Sequence, residues 1–182
     1  MGMASPIYYT AEMVRALPED GNKYEVVHGE LLVTPSPRPW HEVVQMRFLG
    51  ELYGYLKREP IGVLLGPKGD ISWGDDVLVQ PDIYVVKTEE VRTMTWDRMK
   101  SLLLVAEILS PSTTKYDRFT KRRLYQEVGV PLYWIVDADA KVVEVWTPDA
   151  TFPAFERERL TWQPEGATTG FEIELEWLFR AV

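Results

Sequence analysis

Three charged residues stand where the hydrophobic pattern of the chain predicts apolar side chains. Asp82 lies within the apolar segment VLVQPDIYVV, and Glu107 interrupts the apolar segment LLLVAEIL. Lys121 belongs to a stripe at helical spacing, whose other members are Leu124, Tyr125 and Val128. A buried charge costs several kcal/mol unless it is paired, hydrogen-bonded or bound to a metal. Each position therefore predicts either a functional group or a member of a buried ion pair.

The two carboxylates, on strands that can be neighbours, predict a site for a divalent cation. Hard cations such as Mg²⁺ prefer oxygen ligands, and a lysine directed inward needs an anion or a chemical task. The structural alternative is that Asp82, Glu107 and Lys121 form one buried ion-pair network, in which Lys121 only neutralises an acid. The combination of a strand aspartate, a strand glutamate and an inward lysine favours the functional interpretation.

The surrounding elements predict one α/β domain, residues 1–182, with a mixed sheet. Helical periodicity and capping signals predict helices over residues 11–16, 41–57, 117–128 and 176–179. Apolar runs predict a hairpin over 24–33 and strands over 62–65, 68–73, 77–86, 102–109, 132–137, 141–146 and 171–175. The run 102–109 is typical of a central strand covered on both faces. Alternation within 77–86 places Val79 on the same face as Ile83.

Composition limits the class of protein further. The chain has 182 residues, of which 46% are hydrophobic and 26% charged, which is typical of a globular domain. No apolar run approaches the roughly 20 residues of a membrane helix, and the first residues, MGMASPIYY, lack the basic and apolar regions of a secretory signal. The absence of cysteine excludes disulfides, thiolate metal sites and cysteine nucleophiles. These features predict a cytoplasmic protein.

The net charge of −8 argues against nucleic-acid binding over the whole surface, because such binding depends on Lys and Arg neutralising phosphates. The charge is unevenly distributed along the chain. From Glu144 to the C-terminus eight acidic residues stand against three basic ones, whereas a basic cluster lies further upstream: Lys115, Arg118, Lys121, Arg122 and Arg123. An anion can therefore still bind locally.

At these residues the chain resembles the PD-(D/E)xK nuclease superfamily, and within it a bacterial family of "putative restriction endonucleases". The shared features occur in order along nearly the whole chain: Tyr24 with Gly29-Glu30, a proline-rich loop before His41, Gln80-Pro81-Asp82, EILSPST at 107–113, Tyr116-Asp117, Lys121, Tyr125, Gly129-Val130 and YWIVD at 133–137. The fold implied by the resemblance is α/β, with a restriction-endonuclease-like mixed β-sheet core flanked by helices.

The resemblance implies a metal held by Asp82, Glu107 and the backbone carbonyl of Ile108, with a lysine that assists the attack of water on a phosphodiester. The usual lysine would stand two residues after Glu107, where this sequence has Leu109. Lys121 on the following helix matches the family position that takes over this role.

Two further residues, Glu30 and His41, resemble additional site positions of the family. The resemblance implies that Glu30 holds a second metal or a water, and that His41 contacts the phosphate. The alternatives from the residues themselves are that Glu30 caps a hairpin and that His41 begins a helix.

The expected function is that of a metal-dependent phosphodiesterase, in particular a DNA endonuclease with Mg²⁺ or Mn²⁺ as cofactor. Its expected partners are DNA and a second copy of the chain, because two sites serve double-strand cleavage and two-fold dimers are the commonest oligomers. The alternatives are a catalytically idle module that binds nucleic acid or protein, and an enzyme for a small nucleotide or phosphoester. A pocket filled by arginine would favour the idle module, and convergent carboxylates would favour the enzyme.

Overall fold

The computed structural model describes residues 7–182; residues 1–6, the first part of the N-terminal segment MGMASPIYY, lie outside the described residues. The elements in chain order are α1 (Ala11–Arg15), β1 (Lys23–Val27), β2 (Glu30–Thr34), α2 (Pro39–Arg58), β3 (Val63–Leu65), β4 (Ile71–Gly74), β5 (Val77–Val79), β6 (Ile83–Val86), α3 (Thr88–Val91), a 3₁₀ turn (Trp96–Arg98), β7 (Leu102–Ile108), a π-helical segment (Tyr116–Lys121), α4 (Arg122–Glu127), β8 (Tyr133–Asp137), β9 (Val142–Trp146), β10 (Ala154–Glu156), β11 (Arg159–Trp162), β12 (Phe171–Glu174) and α5 (Leu175–Leu178).

A six-stranded mixed sheet, in the order β10-β9-β8-β7-β6-β3, forms the centre of the fold. β7 and β8 are parallel, and the other neighbours are antiparallel. α2 covers one face through Val44, Phe48 and Leu52, and α4 covers the opposite face through Leu124 and Tyr125. This arrangement confirms the expected α/β class, a mixed sheet flanked by helices. No helix within residues 7–182 is long and apolar enough to cross a membrane.

A four-stranded antiparallel sheet, β2-β1-β5-β4, stands beside the central sheet. Its β1–β2 hairpin turns at His28 and Gly29, whose φ angles are 49° and 79°. Two-residue loops of type I′ require positive φ at both positions, which glycine adopts without steric cost. The register pairs Lys23 with Thr34 and Val27 with Glu30. Lys23 and Glu30 therefore lie at opposite ends of the hairpin, about 13 Å apart along the strand direction.

The segment 77–86 forms two strands in different sheets, and not the single strand that its pattern predicts. The chain breaks between them because Pro81 has no N–H to donate to a strand ladder. Alternation places Val79 and Ile83 on the same face, but the break separates them: Val79 packs on the α4 side of the sheet and Ile83 on the α2 side. Asp82 thus lies in the connection between two sheets, directly before β6.

The C-terminal third adds a two-stranded sheet of β11 and β12, which closes the core on the α2 side. The sequence pattern predicts β12 but not β10 or β11. The end of α2 is joined to this region by Glu59, whose carboxylate accepts hydrogen bonds from the backbone N–H groups of Thr168 and Thr169, both at 3.0 Å.

Candidate active site

A cavity of about 750 Å³ opens between the β1–β2 hairpin, the start of α2 and the end of β7. Five of the residues expected at a functional site line it: His41, Asp82, Glu107, Ile108 and Lys121. None of the described residues in its lining is arginine. The carboxylates of Asp82 and Glu107 therefore face one and the same cavity.

The Asp82 carboxylate is held through both of its oxygens. Oδ2 accepts a hydrogen bond from the backbone N–H of Ile108 at 2.9 Å and lies 3.2 Å from Nε2 of His41. Oδ1 lies 3.3 Å from Nζ of Lys23, and Gln45 on α2 donates to the Asp82 backbone carbonyl at 2.9 Å. Burial raises the pKa of Asp82, but Lys23 and His41 outweigh this effect and hold the pKa well below its usual range. Asp82 is therefore ionised and fixed in place.

The Glu107 carboxylate projects from β7 toward the face that α4 covers. Its Oε1 accepts hydrogen bonds from Nζ of Lys121 at 2.9 Å and from the Tyr125 hydroxyl at 3.1 Å. Burial, reinforced by the charge of Asp82, raises the pKa of Glu107 to about 8 despite the nearby lysine. A cation that enters the cavity would favour the ionised form of this group.

Three carboxylates surround Lys121. Its Nζ lies 2.8 Å from Oε2 of Glu25, 2.9 Å from Oε1 of Glu107 and 3.6 Å from Oδ1 of Asp117. The Glu25 oxygen is close but lies outside hydrogen-bond directions, so this contact is an electrostatic one. Burial lowers the pKa of Lys121, but the carboxylates outweigh it and raise the pKa well above its ordinary value. Lys121 borders the cavity, yet its side chain is only 2% exposed.

Sequence reasoning missed four residues of this cluster: Lys23, Glu25, Gln45 and Asp117. Glu25 is fully buried on β1, and its Oε1 accepts a hydrogen bond from the backbone N–H of Gln80 at 2.7 Å. A signal was present for three of them, because each is a polar residue in an apolar pattern. Glu25 lies two residues before Val27 and so shares its face of the strand. Gln45 lies three residues before Phe48, and Asp117 lies seven residues before Leu124, so each shares a helix face with an apolar residue.

Glu30 does not join the cluster. It is exposed at the turn end of the β1–β2 hairpin, because the register places it opposite Val27 and away from Lys23. The carboxylate that the hairpin brings to the cavity is Glu25. The second metal or water that the resemblance assigned to Glu30 therefore has no support from the geometry.

The basic cluster between residues 115 and 123 is largely engaged within the fold. Arg118 contacts Glu144 at 2.6 Å and Asp137 at 3.2 Å, and the guanidinium of Arg122 lies 4.8 Å from the ring centre of Trp146. Lys121 is held by the carboxylates described above. Lys115 and Arg123 are the exposed members of this cluster, so it does not form a continuous phosphate-binding patch.

The donor atoms at the cavity fit a hard divalent cation. Four carboxylates face two ammonium groups, which leaves two negative charges when all are ionised: Glu25, Asp82, Glu107 and Asp117 against Lys23 and Lys121. The N–H and C=O of one strand residue point the same way, so the carbonyl of Ile108 lies on the side of Asp82. Within residues 7–182 no three His, Cys, Asp or Glu side chains gather around one point. Two carboxylates, a carbonyl and waters match the usual surroundings of Mg²⁺.

A helix-flanked mixed sheet that brings an aspartate and a glutamate into one cavity is the arrangement of the restriction-endonuclease-like superfamily. Within that superfamily the chain belongs to the Uma2 family, which carries the description "Putative restriction endonuclease" and whose model matches residues 11–176.

Comparison with solved structures gives the same fold. A crystal structure of "a putative nuclease belonging to DUF820" from Anabaena variabilis superposes with a TM-score of 0.77. The two sequences are 22% identical, and the match covers 94% of this chain and 97% of the other. No curated protein matches the sequence.

Proposed function

We propose that the chain is a metal-dependent phosphodiester hydrolase, and specifically a DNA endonuclease. The observation that carries the proposal is the convergence of two carboxylates on one cavity that Lys121 also borders: Asp82, directly before β6, and Glu107, on the adjacent strand β7. Membership of a family described as restriction endonucleases supports hydrolysis of nucleic acid and favours DNA as the substrate.

Asp82, Glu107 and the backbone carbonyl of Ile108 are the groups that would hold Mg²⁺ or Mn²⁺. When bound, such a cation polarises a phosphate and lowers the pKa of water. Lys23 and His41 keep Asp82 ionised, and the N–H of Ile108 helps to orient it, so this ligand needs little reorganisation. Lys121 and Tyr125 fix the orientation of Glu107 in the same way, which makes Lys121 a positioning residue.

Hydrolysis of a phosphodiester forms one bond from phosphorus to a water oxygen and breaks the bond to one ester oxygen, which leaves with a proton. The cavity is roomy enough for a phosphate group, and its lining includes His41, whose side chain is 11% exposed. We propose that His41 orients Asp82 and contacts the phosphate.

The test is incubation of the purified chain with supercoiled plasmid in Mg²⁺ or Mn²⁺, with EDTA as control. We expect nicked and linear DNA with either cation and intact plasmid with EDTA. DNA binding without cleavage in both cations would favour the idle module. Cleavage of bis(p-nitrophenyl) phosphate but not of plasmid would favour a small phosphoester as the substrate.

We propose that residues 1–182 form a single domain, supported by a family model that spans residues 11–176. We also propose a two-fold homodimer, which would present two sites to the two strands of DNA. A DNA endonuclease of this kind would meet its substrate in the cytoplasm.

A further inference from the structure

The cavity contains a second lysine, Lys23, which the β1–β2 hairpin supplies. Its Nζ lies 3.3 Å from Oδ1 of Asp82, 3.1 Å from the backbone carbonyl of Gln80 and 4.0 Å from Oε2 of Glu25. The Lys23 side chain is 20% exposed, whereas that of Lys121 is 2% exposed. The two lysines of the cluster therefore differ in their access to anything that enters the cavity.

A lysine that contacts a substrate must be able to leave its resting partners. Lys121 cannot do so cheaply, because its departure would leave Glu107 and Asp117 buried without a nearby cation and Glu25 with only Lys23 at 4.0 Å. The carboxylate closest to Lys23 is that of Asp82, at 3.3 Å, and this is a carboxylate that an incoming divalent cation would engage. A cation on Asp82 would thus take over the neutralising role of Lys23.

We infer that Lys23, and not Lys121, is the lysine that contacts the phosphate of the substrate. This inference rests on the proposed function and refines it. In the metal-free protein the Lys23 ammonium is the counterion of Asp82. With a divalent cation on Asp82, Lys23 would lose its main partner, and its flexible four-carbon stem would let the ammonium reach a phosphate oxygen in the cavity.

Removal of the Lys23 charge therefore has two effects of opposite sign. Binding of a divalent cation becomes tighter, because Asp82 no longer has a competing ammonium at 3.3 Å. Cleavage becomes slower, because one positioned donor to the phosphate is lost. If Lys23 only stabilised the fold, its removal would weaken metal binding, slow cleavage and lower the melting temperature together.

The experiment compares Lys23→Met and Lys23→Arg with the parent and with Lys57→Met as matched control. Lys57 lies in the last turn of α2, about 24 Å along the helix from His41. Three quantities are measured for each protein: Mn²⁺ affinity in the absence of DNA by electron paramagnetic resonance, the rate of plasmid cleavage at saturating Mn²⁺, and the melting temperature.

We expect Lys23→Met to bind Mn²⁺ several-fold more tightly, to cleave roughly a hundredfold more slowly, and to melt within a few degrees of the parent. Lys23→Arg should recover part of the rate, and Lys57→Met should match the parent. Parental cleavage by Lys23→Met at saturating Mn²⁺, or weaker Mn²⁺ binding by it, would overturn the inference while the nuclease assignment stands. A parent protein that cleaves no DNA would overturn the proposed function and this role of Lys23 with it.

Discussion

The two carboxylates that face the cavity are stabilised by different means. Asp82 is ionised through Lys23 and His41 and accepts a hydrogen bond from a backbone N–H, whereas Glu107 depends on a buried lysine and its pKa is raised to about 8 by burial. Separation of the pKa values of two neighbouring acids is common in sites that bind a charged reactant. The difference makes Asp82 the acid that is ready to bind a cation at neutral pH.

The first prediction concerns Asp82→Asn, which keeps the shape of the side chain and removes its charge. We expect Mn²⁺ affinity and plasmid cleavage each to fall by roughly a hundredfold or more, because a main ligand is lost. Asp139→Asn, at an exposed turn where the residue contacts Arg38, is the control and should behave as the parent. Titration with Mn²⁺ and a plasmid assay measure the two effects, and full cleavage by Asp82→Asn would contradict the site.

The second prediction concerns Lys121→Met, which keeps most of the stem and removes the ammonium. Three buried carboxylates then lose their shared cation, so we expect the free energy of unfolding to fall by about 3 kcal/mol. Urea denaturation measures this change, and the exposed Lys115→Met should leave it unaltered. A Lys121→Met protein as stable as the parent, yet unable to cleave, would instead indicate that Lys121 contacts the substrate.

At the scale of elements, the π-helical segment Tyr116–Lys121 sets the geometry of the helical side of the cluster. In a π turn each hydrogen bond spans five residues along the chain, one more than in an α-helix. Such turns occur often at functional sites. This turn directs Asp117 and Lys121 to the same side, with 3.6 Å between Oδ1 and Nζ. The four-residue spacing places a carboxylate and an ammonium together below β7, as it would in an α-helix.

The third prediction is that deletion of Phe119 is tolerated by these two groups. Phe119 is 55% exposed within the π-helical segment, and its removal should restore α-helical spacing with Asp117 and Lys121 three residues apart, which keeps them on the same face. We expect a folded protein with parental helix content by circular dichroism and with cleavage reduced less than tenfold, since the support of Glu107 is retained; loss of cleavage would show that the π turn itself is required. Phe119→Ala, which keeps the spacing, should cleave at the parental rate.

The elements also show what a sequence can predict about such a site. The hairpin at His28-Gly29, the central strand Leu102–Ile108 and the helix start at Thr10, whose Oγ1 accepts from the Met13 N–H at 3.2 Å, follow from local signals. The break at Pro81 does not follow from them, because the alternation of apolar and polar residues in the sequence continues through it. β10 and β11 have three and four residues, too few to carry a clear period.

The same distinction between local and tertiary information applies to the cluster itself. Asp82, Glu107 and Lys121 are recognisable because each interrupts an apolar pattern. Lys23 begins a short strand and looks like an ordinary exposed lysine. Its partners Gln80 and Asp82 are 57 and 59 residues away in the sequence. Only the packing of the hairpin against the Gln80–Asp82 connection, which no local pattern encodes, brings it into the cavity.

At the scale of the whole molecule, the buried cluster links stability to pH, which is the fourth prediction. The pKa of Glu107 is raised by burial from an ordinary 4.5 to about 8, so over this interval the folded state binds a proton that the unfolded chain has released. The contribution of this proton to the free energy of unfolding is fully present below about pH 4.5 and is lost as the pH rises through about 8.

We therefore expect the metal-free chain to become less stable between about pH 5 and about pH 8. Mg²⁺ should restore stability most at the upper end, because it binds the ionised carboxylates. Urea denaturation with EDTA or Mg²⁺ across this range is the measurement. Stability that rises with pH in EDTA would show that Glu107 is ionised throughout.

The fifth prediction is that the protein is a dimer in solution. Two copies related by a two-fold axis would allow both strands of a DNA duplex to be cut in one encounter. Static light scattering at micromolar concentration should give twice the mass of one chain. The mass of a single chain under these conditions would exclude the dimer and leave sequential nicking as the route to double-strand breaks.

The distance in sequence between the members of the cluster has a consequence for synthesis of the protein. Lys23 and Glu25 leave the ribosome early, but the groups that neutralise them in the folded state stand at positions 82 and 121. Before then Lys23 and Glu25 have only each other, at 4.0 Å, as ion-pair partners, so their burial would leave both charges poorly compensated. We therefore expect the hairpin to reach its final packing only after the segment that carries Lys121 has emerged.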